Sequence, residues 1–508
     1  MRRFFKTVAI VTVFSVAEKF LGFLYRIYLS RTIGAEGIGL YQVALSVFAL
    51  LLTISCSGTP VTVSRLMTKY QAENRPDKVQ KVITAGITFT LTCAIPLCLV
   101  FFLFRNKLGL IFASPYSISI FLIVLPGLIF TSVYAVLRGV FWGEKDFLPY
   151  SVIELLEEIC MILVGVILIS RASDIYQGSF YAGVAVLVSY VFSFTLATFV
   201  FFYRKNKLKN PRSEFKPLLA SALPVTAMRT ANSLAVSLVS IILPLRLIAS
   251  GYTETQAISM FGSAAGQAIP LLFIPSTLTG AFTLVLVPEI SENYYKNQPV
   301  YLKNNIEKAL KFTTIISCLF VPIFMVCGDE IGIIVFGNHT CGEYLSASAF
   351  LMIFIGTSGI TTSILNSIGL ENKTLAYYII SAALMLISVW VLPKFMGIYS
   401  LLVGFTFIYA LTTILNLRLI HKHCPKKPIY LSSTLKSVSF ILPTAFIGLM
   451  LEKLLLPTIG IILSFLICAV VMCAFYGALA VGFGVVDFES VRVKFMKQKK
   501  NKKIRNPI

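Results

Sequence analysis

The chain has 508 residues, of which 57% are hydrophobic and only 13% are charged, against about 25% charged in ordinary soluble domains. So few charged side chains cannot cover the surface of a protein in water. The composition therefore excludes a soluble enzyme, a disordered chain and a small disulfide-stabilised secreted domain. The formal net charge of +22 would suggest nucleic-acid binding in a soluble protein, but its distribution along the chain indicates membrane topology instead.

Apolar segments long enough to cross a membrane recur along the chain. A transmembrane helix needs about 20 mostly apolar residues to cross the ~30 Å hydrocarbon layer. The sequence predicts an all-α polytopic membrane protein with about 14 transmembrane helices. They lie at residues 7–30, 38–64, 82–104, 116–141, 150–170, 180–203, 217–245, 256–288, 312–327, 345–368, 375–393, 398–417, 437–451 and 457–483. The first lacks a small-residue cleavage site, so we expect a retained helix rather than a signal peptide.

Positive residues are concentrated in alternate loops of this arrangement. If the N-terminus is inside, the inside segments carry 33 Lys and Arg, the outside loops carry 7 and the helices carry 4. Because positively charged loops stay in the cytoplasm, this distribution predicts that both termini are cytoplasmic. We interpret the net charge as a topology signal and expect no nucleic-acid partner.

The first predicted helix has a polar face. Residues on this face recur at spacings of three and four: Thr12, Ser15, Lys19, Gly22, Arg26 and Ser30. Charged residues within membrane helices normally mark a polar pathway or a site. Two interpretations remain open: Glu18 and Lys19 form a structural ion pair, or the face lines a cation-rich cavity. The continuation of the face to Arg26 favours the cavity.

The seventh predicted helix repeats this pattern, with Thr226, Arg229, Ser233 and Ser240 on one face. The first and seventh helices start on the same side, which is typical of transporters built from two parallel repeats with a site between them. We therefore predict two six-helix lobes around a central cavity, plus two C-terminal helices. The predicted divisions are an N-terminal lobe at 1–203, a C-terminal lobe at 204–436, helices 13 and 14 at 437–483, and a basic cytoplasmic tail at 484–508.

The fifth predicted helix has an acidic face formed by Glu154, Glu157 and Glu158. Only about 18 Å of helix follows these residues, so at least one glutamate lies at hydrocarbon depth. Two interpretations remain open and neither is favoured. The acids form a boundary ion-pair network with Arg138 and Lys145, or they bind a coupling cation or proton.

No catalytic residue and no metal site is predicted. The chain contains no P-loop, H-E-x-x-H, G-x-S-x-G or dinucleotide-binding motif. His421, His423 and Cys424 are three potential ligands in a basic loop, fewer than the four of a usual structural zinc site. We expect no cofactor; a coupling cation, Na⁺ or H⁺, or the membrane potential would supply energy for transport.

Three stretches resemble the stage V sporulation protein B group: residues 20–41, with the sequence FLGFLYRIYLSRTIGAEGIGLY, residues 58–65, GTPVTVSR, and residues 251–291 around the eighth predicted helix. The second stretch departs from that group in having Thr59 where isoleucine is usual. The group belongs to the polysaccharide biosynthesis (oligosaccharide flippase) family of the multidrug/oligosaccharidyl-lipid/polysaccharide exporter superfamily, which is related to the lipid II flippases.

The resemblance implies a transporter rather than an enzyme. It implies alternating access that moves a lipid-linked (undecaprenyl-diphosphate) glycan, such as a peptidoglycan or spore-cortex precursor, from the inner to the outer leaflet of a bacterial cell membrane. The implied partners are membrane lipid and the lipid-linked glycan, with cell-wall synthesis enzymes as further candidates. Buried Arg and Lys suit a diphosphate, to which they donate charge-assisted hydrogen bonds. The candidate substrate-binding residues are Lys19, Arg26, Arg31, Arg65 and Arg229. The candidate coupling or structural acids are Glu18, Glu154, Glu157 and Glu158.

Two alternative functions remain open. A cation-coupled multidrug exporter of the same superfamily would line its cavity with acids and aromatic residues rather than with Arg and Lys. An integral-membrane glycan polymerase or ligase usually carries a large outside loop with catalytic residues. The longest outside loop here, 328–344, is short and contains no Arg or Lys. The charge of the cavity therefore discriminates between the two kinds of transporter.

Overall fold

The computed structural model describes residues 2–424 and 427–485, except for the side chains of residues 2–10, 12, 224, 228, 281, 284, 285 and 288. Within that part of the chain every regular element is helical and there is no β-strand. The predicted all-α fold is therefore confirmed. Most of the predicted basic tail, from residue 486 onward, lies outside the described residues.

The helices in the first half of the chain are α1 (Arg2–Cys56), α2 (Thr59–Ala72), α3 (Pro76–Leu103), α4 (Pro115–Val124), α5 (Gly127–Gly143), α6 (Leu148–Ile169), α7 (Ile175–Tyr203), α8 (Phe215–Ala249) and α9 (Glu254–Phe261). Those in the second half are α10 (Ile269–Leu272), α11 (Ile274–Tyr295), α12 (Pro299–Ile331), α13 (His339–Ala347), α14 (Leu351–Ser367), α15 (Glu371–Val391), α16 (Pro393–Met396), α17 (Tyr399–Thr406), α18 (Thr412–His423), α19 (Leu431–Ser439), α20 (Ile441–Ile459) and α21 (Ile461–Gly482). Short π-helical segments occupy Gly262–Ala268, Gly332–Phe336 and Phe407–Leu411.

The structure does not confirm the exact number of predicted membrane spans. Among the described residues, ten helical stretches are long and apolar enough to cross a membrane, or up to twelve if two bent pairs each form one span. Each of the fourteen predicted segments overlaps a helix, but fourteen separate spans are not confirmed. The segments 7–30 and 38–64 fall in one stretch, Val13–Ala72, and the glutamate-bearing α6 is not among the candidates.

The chain divides into two compact units. Unit 1 comprises Met1–Gln267 and Leu386–Leu401, and unit 2 comprises Ala268–Met385 and Leu402–Ile508. The predicted lobe boundary at residue 204 stays a prediction. α8 and α9, which follow that boundary, pack against α1 in unit 1. In unit 2 the last two helices, α20 and α21, pack against α12.

α1 is the central helix of unit 1 and contacts α3 to α9. It contains both of the first two predicted segments, joined by a kink at Gly34 (φ 67°, ψ −175°) instead of a loop. A positive φ costs glycine nothing, whereas a side chain would be strained there. Gly34 therefore allows two apolar segments to remain one helical element while changing direction.

Loops predicted to lie inside meet at one end of unit 1. Arg204, after α7, donates hydrogen bonds at 2.7 Å to both Glu144 and Asp146, after α5. Lys209, before α8, forms an ion pair with Asp77 at the start of α3. These contacts place three of the predicted inside loops on the same side of unit 1.

Segments predicted to lie outside meet elsewhere in unit 1. The rings of Tyr116 and Tyr176 stack with centroids 3.8 Å apart, and the hydroxyl of Tyr176 donates to Glu36 at 3.1 Å. These residues belong to the N-terminal turns of α4 and α7 and to the kink region of α1. The alternation read from the Lys and Arg positions therefore agrees with which segments meet.

Candidate functional site

Unit 1 contains a cavity of about 310 Å³ between α1, α5, α6, α7 and α8. Its charged lining residues comprise four acids, Glu18, Glu154, Glu157 and Glu158, and two cations, Arg138 and Arg229. Acids from two helices thus converge on one cavity, and they outnumber the cations. Such a group of charges among membrane helices is the usual mark of an ion or substrate pathway.

Glu154 is the acid with the clearest structural partner. Its Oε1 atom lies 3.0 Å from Nη1 of Arg138, and the Arg138 guanidinium also lies over the ring of Trp142, 5.4 Å from its centroid. The ion pair joins α6 to α5. Lys145, the other cation considered for this network, forms no ion pair among the described residues. The geometry of Glu154 therefore matches the boundary ion-pair interpretation in part.

Glu157 and Glu158 have different surroundings. Ser193 on α7 lies close to Glu157, while its hydroxyl donates to the carbonyl oxygen of Tyr190 at 3.2 Å. Glu158 approaches α1 at Gly22, where an added Cβ would lie 2.8 Å from its Oε1 atom. Within the described part of the chain neither carboxylate has an ion-pair partner within 4.0 Å. Two lining acids thus remain without a paired cation, and intramembrane acids of this kind often mark an ion pathway or a proton relay.

The cavity adjoins a break in the helical path. α1 ends at Cys56 and α2 begins at Thr59, so Ser57 and Gly58 lie between them. The backbone N–H of Gly58 donates to Oγ1 of Thr226 at 3.1 Å, and Nη1 of Arg229 donates to the carbonyl oxygen of Ser57 at 2.8 Å. The polar face of α8 therefore satisfies backbone groups that a helix break leaves without partners.

The break also requires a close approach between backbones. A Cβ at Gly58 would lie 2.4 Å from the carbonyl oxygen of Ala222 on α8, closer than real Cβ contacts. Glycine at position 58 therefore allows α8 to reach the break. Because Thr226 and Arg229 follow Ala222 on the same helix, this approach also positions their side chains.

Arg229 combines a fixed position with unused donors. A guanidinium has five N–H donors, and one hydrogen bond, to Ser57, is recorded for this side chain. It is exposed and has no ion-pair partner among the described residues. Arg229 is thus a cation at the edge of an acid-lined cavity with donors left for an anionic ligand.

Arg26 lies elsewhere in unit 1. Its Nη1 atom donates to the carbonyl oxygen of Gly266 at 2.9 Å, and one turn further along α1 Ser30 accepts from Nε2 of Gln267 at 2.6 Å. Both contacts reach the π-helical segment that follows α9, a local irregularity often found at functional sites. The face of α1 from Arg26 onward therefore holds this segment and does not line the cavity.

The other predicted cations are dispersed. Lys19 is exposed and forms no ion pair with Glu18 in the described part of the chain. Nη2 of Arg65 donates to the hydroxyl of Ser221 on α8 at 2.6 Å, and Arg31 is exposed near the kink of α1. The structure thus brings together Glu18, Glu154, Glu157, Glu158 and Arg229. It leaves Lys19, Arg26, Arg31 and Arg65 outside that cavity.

The sequence interpretation missed several polar lining residues. Tyr134 and Thr131 on α5 and Tyr190 on α7 also line the cavity, and Ser193 contacts Glu157 from α7. Tyr190 and Ser193 are three residues apart and therefore share a helix face. Polar and aromatic residues at that spacing in the sixth predicted segment were the signal that could have identified Tyr190 and Ser193.

Comparison with known proteins agrees with this fold. Residues 4–294 match the polysaccharide biosynthesis protein family. The chain is 24% identical to stage V sporulation protein B of Bacillus subtilis over 393 residues, covering 75% of this chain and 76% of that protein. It is 23% identical to the lipid II flippase MurJ of Bacillus subtilis, covering 63% and 62%. A solved structure of the lipid II flippase MurJ in an inward closed conformation superposes with a TM-score of 0.69 at 15% identity, covering 94% of this chain and 98% of that one. Because the family match extends over more than half of its length, this chain belongs to the polysaccharide biosynthesis protein family.

Proposed function

We propose that this protein is a flippase that moves an undecaprenyl-diphosphate-linked glycan, such as a peptidoglycan or spore-cortex precursor, from the inner to the outer leaflet by alternating access. The observation that carries the proposal is the combined likeness, in sequence and fold, to a protein named lipid II flippase. In the proposed orientation both termini lie in the cytoplasm of a bacterium. Cell-wall synthesis enzymes would then supply or use the substrate.

Arg229 is the proposed principal contact of the diphosphate. Its guanidinium has a planar set of donors that matches two phosphate oxygens at once, which a lysine ammonium cannot do. Its position on α8 is supported by the hydrogen bond to Ser57 and by the close approach at Gly58. Lys19, Arg26, Arg31 and Arg65 remain proposed as further cations along the substrate's path, outside the cavity.

The acids of the cavity are proposed to serve energy coupling. Glu157 and Glu158 have no paired cation among the described residues, so either carboxylate can take up Na⁺ or H⁺ without first losing a partner. Glu154 is already paired with Arg138, and we assign it a structural role. Glu18 lines the same cavity from α1, and its negative charge would help to attract the bound cation.

A second candidate function is a cation-coupled multidrug exporter. The observation that favours it is the excess of acids over cations in the cavity, together with the lining tyrosines Tyr134 and Tyr190. An amphipathic cation would be attracted to such a lining. A solved multidrug transporter of the same superfamily also shares the fold, with a TM-score of 0.63 at 13% identity.

A leaflet-accessibility assay in proteoliposomes separates the two functions. The substrates are a polyprenyl-diphosphate glycan, the corresponding monophosphate glycan and a fluorescent amphipathic cation, each with a Na⁺ gradient, a pH gradient or a membrane potential imposed. The flippase proposal expects rapid transfer of the diphosphate glycan and weaker transfer of the monophosphate. Transport of the amphipathic cation without movement of either glycan would contradict the proposal and support the multidrug exporter.

A further inference from the structure

Two carboxyl groups, one buried and one half-buried, meet in unit 2, far along the chain from the acids of unit 1. Glu330 lies near the end of α12 and is only 5% exposed. The carboxyl group of Glu452 on α20 lies within hydrogen-bonding reach of it. The Oε2 atom of Glu330 is buried and has no hydrogen-bond partner among the described residues. A nearly fully buried carboxylate with an unsatisfied oxygen, facing a second carboxylate, is costly and needs a partner.

The local backbone is irregular at this point. Cys327, one turn before Glu330, has non-helical dihedral angles (φ −92°, ψ 18°) inside α12. The thiol of Cys327 lies within hydrogen-bonding reach of the thiol of Cys468 on α21. α12 therefore contacts both helices of the α20–α21 hairpin through side chains of one cluster.

Both hairpin contacts lie at the same depth. Glu452 is seven residues before the end of α20 at Ile459, and Cys468 is seven residues after the start of α21 at Ile461. At 1.5 Å per residue, each is about 10 Å from the turn of the hairpin. The cluster is therefore well within the helical part of the hairpin and away from its turn.

Neighbouring charges do not neutralise the carboxyl pair. Asp329 is engaged by Nδ1 of His339 on α13 at 2.9 Å, and Glu343, also on α13, is 3.8 Å from the same atom. Lys453, the residue after Glu452, is a cation whose charge acts on Glu452, and its side chain is exposed. The titratable and charged groups that face the pair are Cys327 and Asp329 on α12, Lys453 on α20 and Cys468 on α21. His339 and Glu343 on α13 act on Asp329 and not on the pair itself.

A hydrogen bond between two carboxyl groups requires a proton on one of them, because two carboxylates have no hydrogen to donate. Like charges this close strongly disfavour double ionisation, as in other carboxyl pairs that hold one proton. We propose that Glu330 and Glu452 form a proton-binding site, and that the shared proton fastens the α20–α21 hairpin to α12. Loss of the proton leaves two adjacent carboxylates and releases the hairpin.

The test is hydrogen–deuterium exchange on the full-length protein in lipid nanodiscs. Exchange of peptides from α20 and α21 is compared at the same pH between the wild type and Glu452→Gln, so that intrinsic chemical exchange cancels. Glutamine can donate a hydrogen bond to Glu330 at any pH and therefore mimics the protonated acid. Glu330→Gln is the reciprocal variant, and Glu343→Gln, at an exposed acid that pairs with His339, is the matched control.

The wild type and both Gln variants should exchange alike at low pH. Between about pH 5 and about pH 9, wild-type exchange in the hairpin should rise relative to the Gln variants by up to about tenfold per pH unit, as expected for opening coupled to release of one proton. Glu343→Gln should follow the wild type. A wild-type-to-variant ratio that is constant with pH, or hairpins that open more in both Gln variants at every pH, would overturn the proposal. A wild-type-to-variant exchange ratio that changes when Na⁺ is replaced with choline, but not with pH, would also overturn the proposal. The occupant of the site would then be a metal cation.

Discussion

Arg229 donates from Nη1 to the carbonyl oxygen of Ser57 at 2.8 Å, across the break between α1 and α2. The cation proposed to bind the substrate is therefore the same group that satisfies a backbone carbonyl at the break. A diphosphate that engages this guanidinium would compete with that carbonyl or share the guanidinium with it. Head-group binding and the local conformation of the α1–α2 junction are thereby linked.

The first prediction concerns Arg229. Arg229→Lys should preserve the charge but lose the paired geometry toward phosphate, and Arg229→Ala should lose both. Loss of one charge-assisted contact should weaken head-group binding by about 1.5–3 kcal/mol, roughly ten- to a hundredfold. Binding of a polyprenyl-diphosphate glycan to the purified variants measures this effect. Arg105→Lys, at a cation away from the cavity, should bind like the wild type, and unchanged binding by well-folded Arg229→Ala would remove Arg229 from the site.

The second prediction concerns the close approach at Gly58. Gly58→Ala places a Cβ against the carbonyl of Ala222, so α8 must move or the junction must distort. We expect a loss of about 1–3 kcal/mol in stability, typical of an overpacked site, seen as a lower thermal transition in detergent. Gly477→Ala, where nothing lies within 4 Å of the added Cβ, is the matched control. Equal thermal transition temperatures for Gly58→Ala and Gly477→Ala would show that α8 can accommodate a Cβ at residue 58.

The third prediction separates the roles of the acids on α6. Glu154→Gln removes the partner of the partly buried Arg138, so it should lower stability, by about 1–3 kcal/mol, while Arg138→Gln in the same chain should restore part of the loss. Thermal unfolding of the single and double variants measures this coupling. If the stability losses of the two single variants simply add up to the loss of the double variant, the ion pair makes no specific contribution to stability.

The fourth prediction tests coupling at Glu157 and Glu158. Substitution of either by glutamine preserves shape but removes the negative charge that would bind Na⁺ or release H⁺. At least one of the two variants should lose ion-gradient-driven transport in proteoliposomes and still bind the glycan substrate. Transport that keeps its full dependence on the ion gradient in both variants would assign these acids a structural role.

The fifth prediction concerns topology. Single cysteines introduced at Glu343 and Lys207, both exposed, lie in loops predicted to be on opposite sides of the membrane. A membrane-impermeant thiol reagent applied to whole cells should label Glu343→Cys and spare Lys207→Cys until the cells are permeabilised. The native Cys341 is buried, so the unsubstituted protein, treated in parallel, should give no label in this loop. External labelling of Lys207→Cys would reverse the proposed orientation.

The sequence by itself determined the all-helical membrane fold, because that property depends on the lengths of apolar segments and the shortage of charge, both of which are local. It also determined which loops share a side, since the alternation of Lys and Arg agrees with the contacts of Arg204 with Glu144 and of Tyr176 with Glu36. Helical spacing alone placed Glu154, Glu157 and Glu158 on one face, and all three line the same cavity.

Only the tertiary structure decided which faces meet. Lys19 and Arg26 share a face with the polar residues of α1, yet Arg26 reaches Gly266 rather than the cavity, because the packing of α9 against α1 is not encoded in the spacing of either helix. The same holds for Arg229, whose partner Ser57 is 172 residues away, and for Glu330 and Glu452, which were assigned to separate outside loops. A helical period specifies the face that a residue occupies, whereas the helix opposite that face is selected by long-range packing.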